Sequence, residues 1–218
     1  MQCLIIAGGR VDSEQLKNVY RTLENVYVIT CDRGTIYALE AGISIDRAIG
    51  DFDSVSDEEF AEIKKLLEED KAGVIEKLIP EKDDTDTEHA LQYALSLSPD
   101  CIVMMGCTGT RLDQTFNSIN LLVLSAERNV PAFILDRNNR VRVIKGRVTF
   151  DKKKSFGKYV SVIPLGESAH IKEISGFKYD VKDITLHTSV GRGISNELVL
   201  AEGVIYTEDY LIVFETQD

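Results

Sequence analysis

A single change of hydrophobic period, near residue 140, constrains this chain more than any one motif in it. Upstream of it, short apolar runs at 3–6, 26–29, 48–49, 74–75, 101–105 and 132–135 alternate with helical patterns. Leu16, Val19, Tyr20 and Leu23 follow i, i+3, i+4, i+7 behind a cap at Asp12 or Ser13. Ser56 and Glu59 have the spacing of a capping box, opening a helix that buries Phe60, Ile63, Leu66 and Leu67. Ala90, Leu91, Ala94 and Leu95 line a further helix, and Phe116, Ile119, Val123 and Leu124 the next. Strands alternating with helices predict a doubly wound, mostly parallel α/β sheet. Downstream the helical period stops. Runs at 159–165, 169–174, 179–186, 198–201 and 210–214 are strand-like and separated by Gly, Ser and Asp, which predicts a small all-β sandwich or barrel. The expected organisation is an α/β domain over 1–140 followed by a β domain over 141–218. No Pro- or Ser-rich linker separates them, and no internal repeat is present.

The polar residues of the first half gather after the strands. They are Ala7-Gly8-Gly9-Arg10, Cys31-Asp32-Arg33-Gly34, Gly50-Asp51-Phe52-Asp53-Ser54, Lys82-Asp83-Asp84-Thr85-Asp86 and Gly106 to Arg111. In an open parallel sheet the carboxyl ends of the strands share one edge, and ligands bind in the crevice outside them. The opposite edge carries ordinary connections such as Glu24-Asn25.

Each cluster suggests a chemistry. Asp51 and Asp53 are two apart, so in an extended segment their carboxylates point the same way. At roughly 5 Å and an effective dielectric near 20 they repel by about 3 kcal/mol, a penalty that a bound cation removes. Mg²⁺ is commonly held by one or two carboxylates together with substrate phosphates. A solvated turn capping the next helix is the plainer reading of the same pair. Thr85 and Glu88 fit a capping box, which accounts for Asp86 near a helix N-terminus, whereas Asp83 and Asp84 precede the cap. Lys82 could meet a phosphate. The loop Thr108-Gly109-Thr110-Arg111 feeds a helix N-terminus, a setting that favours anions, with Arg111 as a bidentate donor. Neither a Walker A nor a Rossmann glycine pattern occurs. His89, His170 and His187 form no metal-ligand pair and read as structural or surface residues.

Taken in order, these segments resemble the thiamine pyrophosphokinase family. Cys31 to Thr35 is similar to its Ala-Asp-Gly-Gly-Ala segment, and Gly50 to Ser54 matches its Gly-Asp-Phe-Asp-Ser signature. Lys82 to Asp86 resembles its Lys-Asp-x-Thr-Asp segment, Gly109 to Gln114 its Gly-Gly-Arg-x-Asp-His/Gln segment, and Ser195-Asn196 a turn the family uses near thiamine. The resemblance implies an ATP- and Mg²⁺-dependent transfer of diphosphate to thiamine by a homodimer, with thiamine near the subunit interface; the expectation of a reducing cytoplasm rests instead on the lack of a signal peptide or long apolar segment. It implies metal ligation by Asp51, Asp53 and Asp86 with Asp83 beside them, and phosphate contacts from Lys82 and Arg111. Asp32, Asp113, Gln114, Ser195 and Asn196 would place thiamine or complete the catalytic edge. Arg33 and Thr110 depart from the pattern by replacing glycines, and the absence of Trp leaves any aromatic wall to Tyr or Phe.

Two rivals stay open at this level. Asp51-Phe52-Asp53-Ser54-Val55 also fits the motif of a haloacid-dehalogenase-type phosphatase, with Asp51 as nucleophile. A catalytically silent nucleotide- or thiamine-binding sensor is the other, with Arg33 and Thr110 as the suspect changes. The net charge of −11 argues against a nucleic-acid partner, which needs a basic footprint. No long apolar segment suggests a membrane span, and Cys3, Cys31, Cys101 and Cys107 have no metal-ligand spacing.

Overall fold

Strand β1 (Gln2–Ile6) is continuously apolar because both of its faces are covered. Cys3, Leu4, Ile5 and Ile6 are all fully buried. The computed structural model describes residues 1–69, 73–78 and 84–218, and the side chains of 68 and 69 lie outside the description. In it β1 lies between β2 (Val26–Cys31) and β5 (Cys101–Met105), parallel to both, with Leu4 opposite Val28 on one side and Val103 on the other. Strands β3 (Arg47–Gly50) and β4 (Val74–Lys77) extend the sheet beyond β2, and β6 (Ala132–Leu135) extends it beyond β5.

Alternation along β1 sends residues to opposite faces. Cys3 and Ile5 pack with Ala90, Leu91 and Leu122 from helices α4 (Asp86–Ser96) and α5 (Leu112–Glu127). Leu4 and Ile6 pack with Leu16, Ala38 and Ile63 from α1 (Ser13–Thr22), α2 (Gly34–Glu40) and α3 (Asp57–Lys64). Capping follows the sequence. Asp12 accepts the Gln15 N–H at 2.8 Å, and Ser56 and Glu59 form a reciprocal box at 3.2 and 2.7 Å. At α4 Thr85 accepts the Glu88 N–H at 3.2 Å.

The β half continues the same sheet. Strand β7 (Asn139–Asp151) runs antiparallel to β6, pairing Ile134 with Val141, and then pairs along its length with β11 (Glu202–Thr216). The other edge of β11 is shared by β9 (Ser168–Ser175) and β8 (Tyr159–Pro164), with a register shift between Thr207 and Leu211 where one gives way to the other. Strand β10 (Val181–His187) pairs with β9. Ile144, Phe150, Val160, Val162, Ile171, Ile205, Leu211 and Val213 form the core of this half. The expected architecture, a doubly wound α/β sheet followed by a β-rich unit, is the one found.

Local expectations failed in three places. Residues 198–201 form no strand: Leu198 makes one isolated bridge to Phe177, and the N–H groups of Val199 and Leu200 both donate to the Gly176 carbonyl. Strand β7 was not anticipated, although Val141 and Val143 alternate with Arg140 and Arg142 in the period of a half-buried strand. On α5 the fully buried stripe is Ser118, Leu121, Leu122 and Ser125; of the expected residues Ile119 and Leu124 are half-buried against the same core, and Phe116 is 65% exposed. Small serines face the sheet there, so composition misled the choice of helix face.

Candidate active site

Between β1 and β5 the connections leave the sheet in opposite directions, the topological switch point where open α/β sheets bind ligands. A cleft of 450 Å³ lies there. It is walled by Gly8 and Gly9 after β1, Asp32 after β2, Asp51 after β3, the 84–87 entry to α4, and the 106–111 loop after β5. The loop after β5 is fastened to the loop after β1: the Gly9 N–H donates to the Gly106 carbonyl at 2.8 Å and the Arg10 N–H to the Thr108 carbonyl at 2.7 Å. Gly106 has φ +72, and a Cβ there would lie 2.2 Å from the Ala7 carbonyl oxygen, so only glycine allows this approach.

Three half-buried carboxylates converge in the cleft. One oxygen each from Asp32, Asp51 and Asp86 lies within 4.8 Å of the others. Burial first, then hydrogen bonding and repulsion from Asp86, pushes the Asp32 carboxyl up to about 7; the Phe52 N–H, donated to Asp32 at 3.1 Å, opposes the rise. An all-oxygen donor set of three converging carboxylates suits a hard divalent cation such as Mg²⁺. Asp53 stands outside this group. Phe52 has φ +60, so 51–53 turns instead of running extended, and exposed Asp53 donates its N–H to Asp51 Oδ1 at 3.0 Å.

The remaining expected residues divide by place. Arg111 and Gln114 line the cleft. Arg111 is exposed and forked onto Asp113, Nε to Oδ1 at 3.3 Å and Nη2 to Oδ2 at 2.5 Å, and this holds the Asp113 carboxyl below its ordinary value. Lys82 and Asp83 lie outside the described residues. Ser195 and Asn196 are not in the cleft. The Ser195 N–H donates to Ser161 Oγ at 2.9 Å, and the Asn196 amide holds Tyr179, accepting its N–H at 3.0 Å and donating to its carbonyl at 2.9 Å. Asn196 and Tyr179 border a separate cavity of 490 Å³ in the β half, which shares no lining residue with the acidic cleft.

Two features escaped the sequence. Thr87, Thr115 and Ser118 add hydroxyls to the cleft wall, signalled only by small polar residues on the sheet-facing sides of α4 and α5. His89, read as structural, bridges Glu76 (3.0 Å) and Asp84 (3.3 Å), tying the acidic entry of α4 to β4. Neither residue that replaces a glycine of the family pattern has a left-handed backbone. Arg33 has φ −60, and Thr110 is not among the residues with positive φ.

Fold and site together define an α/β domain with a carboxylate-lined switch-point crevice, continued by a β domain. Residues 20–134 match the family model for the thiamin pyrophosphokinase catalytic domain, and residues 145–212 that for the thiamin pyrophosphokinase vitamin B1 binding domain. The chain is 32% identical to the thiamine pyrophosphokinase of Bacillus subtilis (strain 168) over 216 residues, 98% of each chain. It resembles the crystal structure of the Bacillus subtilis thiamine pyrophosphokinase with a TM-score of 0.87 at 29% identity, covering 100% of both chains. The Geobacillus thermodenitrificans thiamin pyrophosphokinase structure matches with a TM-score of 0.83 at 32% identity, covering 100% of this chain and 98% of that one. The chain belongs to the thiamin pyrophosphokinase family.

Proposed function

We propose that this chain transfers the diphosphate of ATP to the hydroxyl of thiamine, releasing AMP, with Mg²⁺ as cofactor. Family membership makes it a thiamine diphosphokinase. The observation that carries the finer reading is the convergence of Asp32, Asp51 and Asp86 in the switch-point crevice. In the reaction the thiamine oxygen forms a bond to the β-phosphorus while the bond from that phosphorus to the α,β-bridging oxygen breaks. When bound, Mg²⁺ would neutralise charge on the phosphates and lower the cost of deprotonating the alcohol.

The chain's own groups do the positioning. Asp32, Asp51 and Asp86 would hold the cation, with Asp53 and Asp83 adjacent in sequence. Arg111 would exchange its fork from Asp113 to a phosphate, and Lys82 would supply a second cation. Gln114, at the cleft wall, would orient thiamine, and Asp32 would complete the catalytic edge. Orientation of the two substrates is expected to supply much of the acceleration.

Residues 1–140 would form the catalytic domain and 141–218 the thiamine-binding and dimerisation domain. Two exposed apolar patches support a homodimer. Leu112 and Phe116 stand beside Arg111 at the start of α5, and Tyr179 and Ile194 stand at the mouth of the β-half cavity. Docking the second patch of one copy on the first of another would bring Ser195 and Asn196 to the cleft, with Phe116 and Tyr179 as the aromatic wall. No described helix is long and apolar enough to cross a membrane.

Product identification after incubation with thiamine and Mg-ATP tests the reading. Thiamine diphosphate with AMP is the expected pair. Free phosphate with a trapped Asp51 aspartyl-phosphate would replace it with the phosphatase, and binding of both substrates without AMP would replace it with the sensor.

A further inference from the structure

Far from the acidic cleft in sequence, the junction of the two halves holds more buried positive charge than it neutralises. Arg140 and Arg142 lie two apart on β7 and share one carboxylate, Glu215, whose side chain is 1% exposed. Glu215 is engaged mainly by Arg140 and Phe156. It accepts from Arg140 Nε at 3.0 Å and from Arg140 Nη2, and the Phe156 N–H donates to it at 3.3 Å. Arg142 stands 3.9 Å from Glu215, beyond hydrogen-bonding distance, with its guanidinium carbon 4.4 Å from the Phe150 ring centre. Its Nε is buried and has no hydrogen-bond partner among the described residues. Burial lowers its pKa, against the pull of Glu215 and with the repulsion of Arg140.

Stacking on a ring satisfies the face of a guanidinium but not its in-plane N–H groups. A buried donor without an acceptor costs stability, and native proteins rarely keep one without a use. Beside Arg142 is a pocket of 280 Å³, bordered also by Thr149 and Lys154. The Asp151 and Glu215 carboxylates also border it, against the three cations Arg140, Arg142 and Lys154, and one Asp151 oxygen accepts the Lys153 N–H at 2.9 Å. We infer that this pocket binds a small tetrahedral oxyanion, phosphate or a phosphate monoester, on Arg142 with Lys154 and Thr149. The site is separate from the catalytic cleft, sharing no residue with it, and lies where β7 carries the sheet from one half into the other. An anion there would complete the charge balance of that junction.

The test is thermal denaturation and calorimetric titration of the full chain without divalent cations, using inorganic phosphate against chloride at matched ionic strength. A saturable rise in Tm is expected in the parent and in Arg111→Ala, with binding at least about tenfold weaker in Arg142→Met and Lys154→Met. Without phosphate, Arg142→Met loses the Phe150 contact and the Glu215 attraction and is expected to melt lower than the parent, so the comparison is made on the phosphate-induced rise in Tm of each protein. If Arg142→Met does not fold by circular dichroism, exposed Lys154→Met carries the comparison. Equal phosphate responses in the parent and the folded pocket variants, or a response abolished by Arg111→Ala alone, would overturn the inference. Glycerol phosphate in a parallel arm separates the two sources: tighter binding than phosphate points to a monoester, weaker binding to the free ion.

Discussion

The carboxylate of Asp32 occupies the space that a side chain at position 50 would need. A Cβ on Gly50 would sit 2.0 Å from Asp32 Oδ1, at a backbone φ of +153 that other residues rarely adopt. The ends of β2 and β3 therefore fit together only with glycine at 50, and that fit places Asp32 beside Asp51. Gly50→Ala is expected to cost about 1–3 kcal/mol of stability and to lower kcat/KM by at least about 10²-fold through displaced carboxylates. Denaturant melts and steady-state kinetics on the same preparation check both figures.

Asp32 makes the cation-free protein sensitive to pH in a defined direction. Its carboxyl is raised from 3.8 to about 7 on folding, so the folded state binds more protons than the unfolded chain between those values. The resulting stabilisation is present below about pH 4 and lost as pH rises through about 7. Melting without divalent cations should fall more steeply from pH 5 to pH 8 in the parent than in Asp32→Asn. Added Mg²⁺ should raise the parent's Tm most at pH 8, where Asp32 is ionised. A parent and variant with parallel pH profiles would refute the assignment.

Arg111 tests the phosphate contact. Its fork closes on Asp113, and a point-charge ammonium cannot reproduce that geometry. Arg111→Lys should lower kcat/KM for ATP by about 10²-fold while leaving the melting temperature near that of the parent, because the pair is exposed. Initial-rate kinetics with ATP varied at saturating thiamine provide the measurement.

Phe116 is a large ring left 65% exposed next to the cleft, and Tyr179 is 59% exposed beside Asn196. If they form one aromatic wall across two copies, Phe116→Ala should raise KM for thiamine by about tenfold or more, consistent with the burial of a ring, and weaken self-association. Analytical ultracentrifugation with thiamine-dependent kinetics would show both effects. A KM unchanged in a variant that still dimerises would remove Phe116 from the wall.

Elements with a clean period were legible in advance. The continuous apolar run of β1, the caps at Asp12 and Ser56, and the end of helical periodicity near residue 140 each reflect local chemistry that acts within a few residues. Strand β7 carries a period-2 signal where Val141 and Val143 alternate with Arg140 and Arg142, but the partner that half-buries Arg140, Glu215, lies 75 residues away and could not be read from the segment. Residues 198–201 were misread because an apolar run signals burial, not which carbonyl its N–H groups will find.

The amino-acid sequence by itself determined the order of the elements, the edge of the sheet on which polar loops gather, and the acidic residues available there. Which carboxylates meet was decided by tertiary structure alone. Asp51 and Asp53 are neighbours in the chain, yet the left-handed turn at Phe52 leaves Asp53 outside the cluster. Asp32 and Asp86, from the ends of β2 and the start of α4, join Asp51 because parallel strand pairing and the empty space at Gly50 bring those ends together. Backbone direction at a turn and approach between distant loops depend on packing across the whole sheet, and spacing along the chain does not encode either.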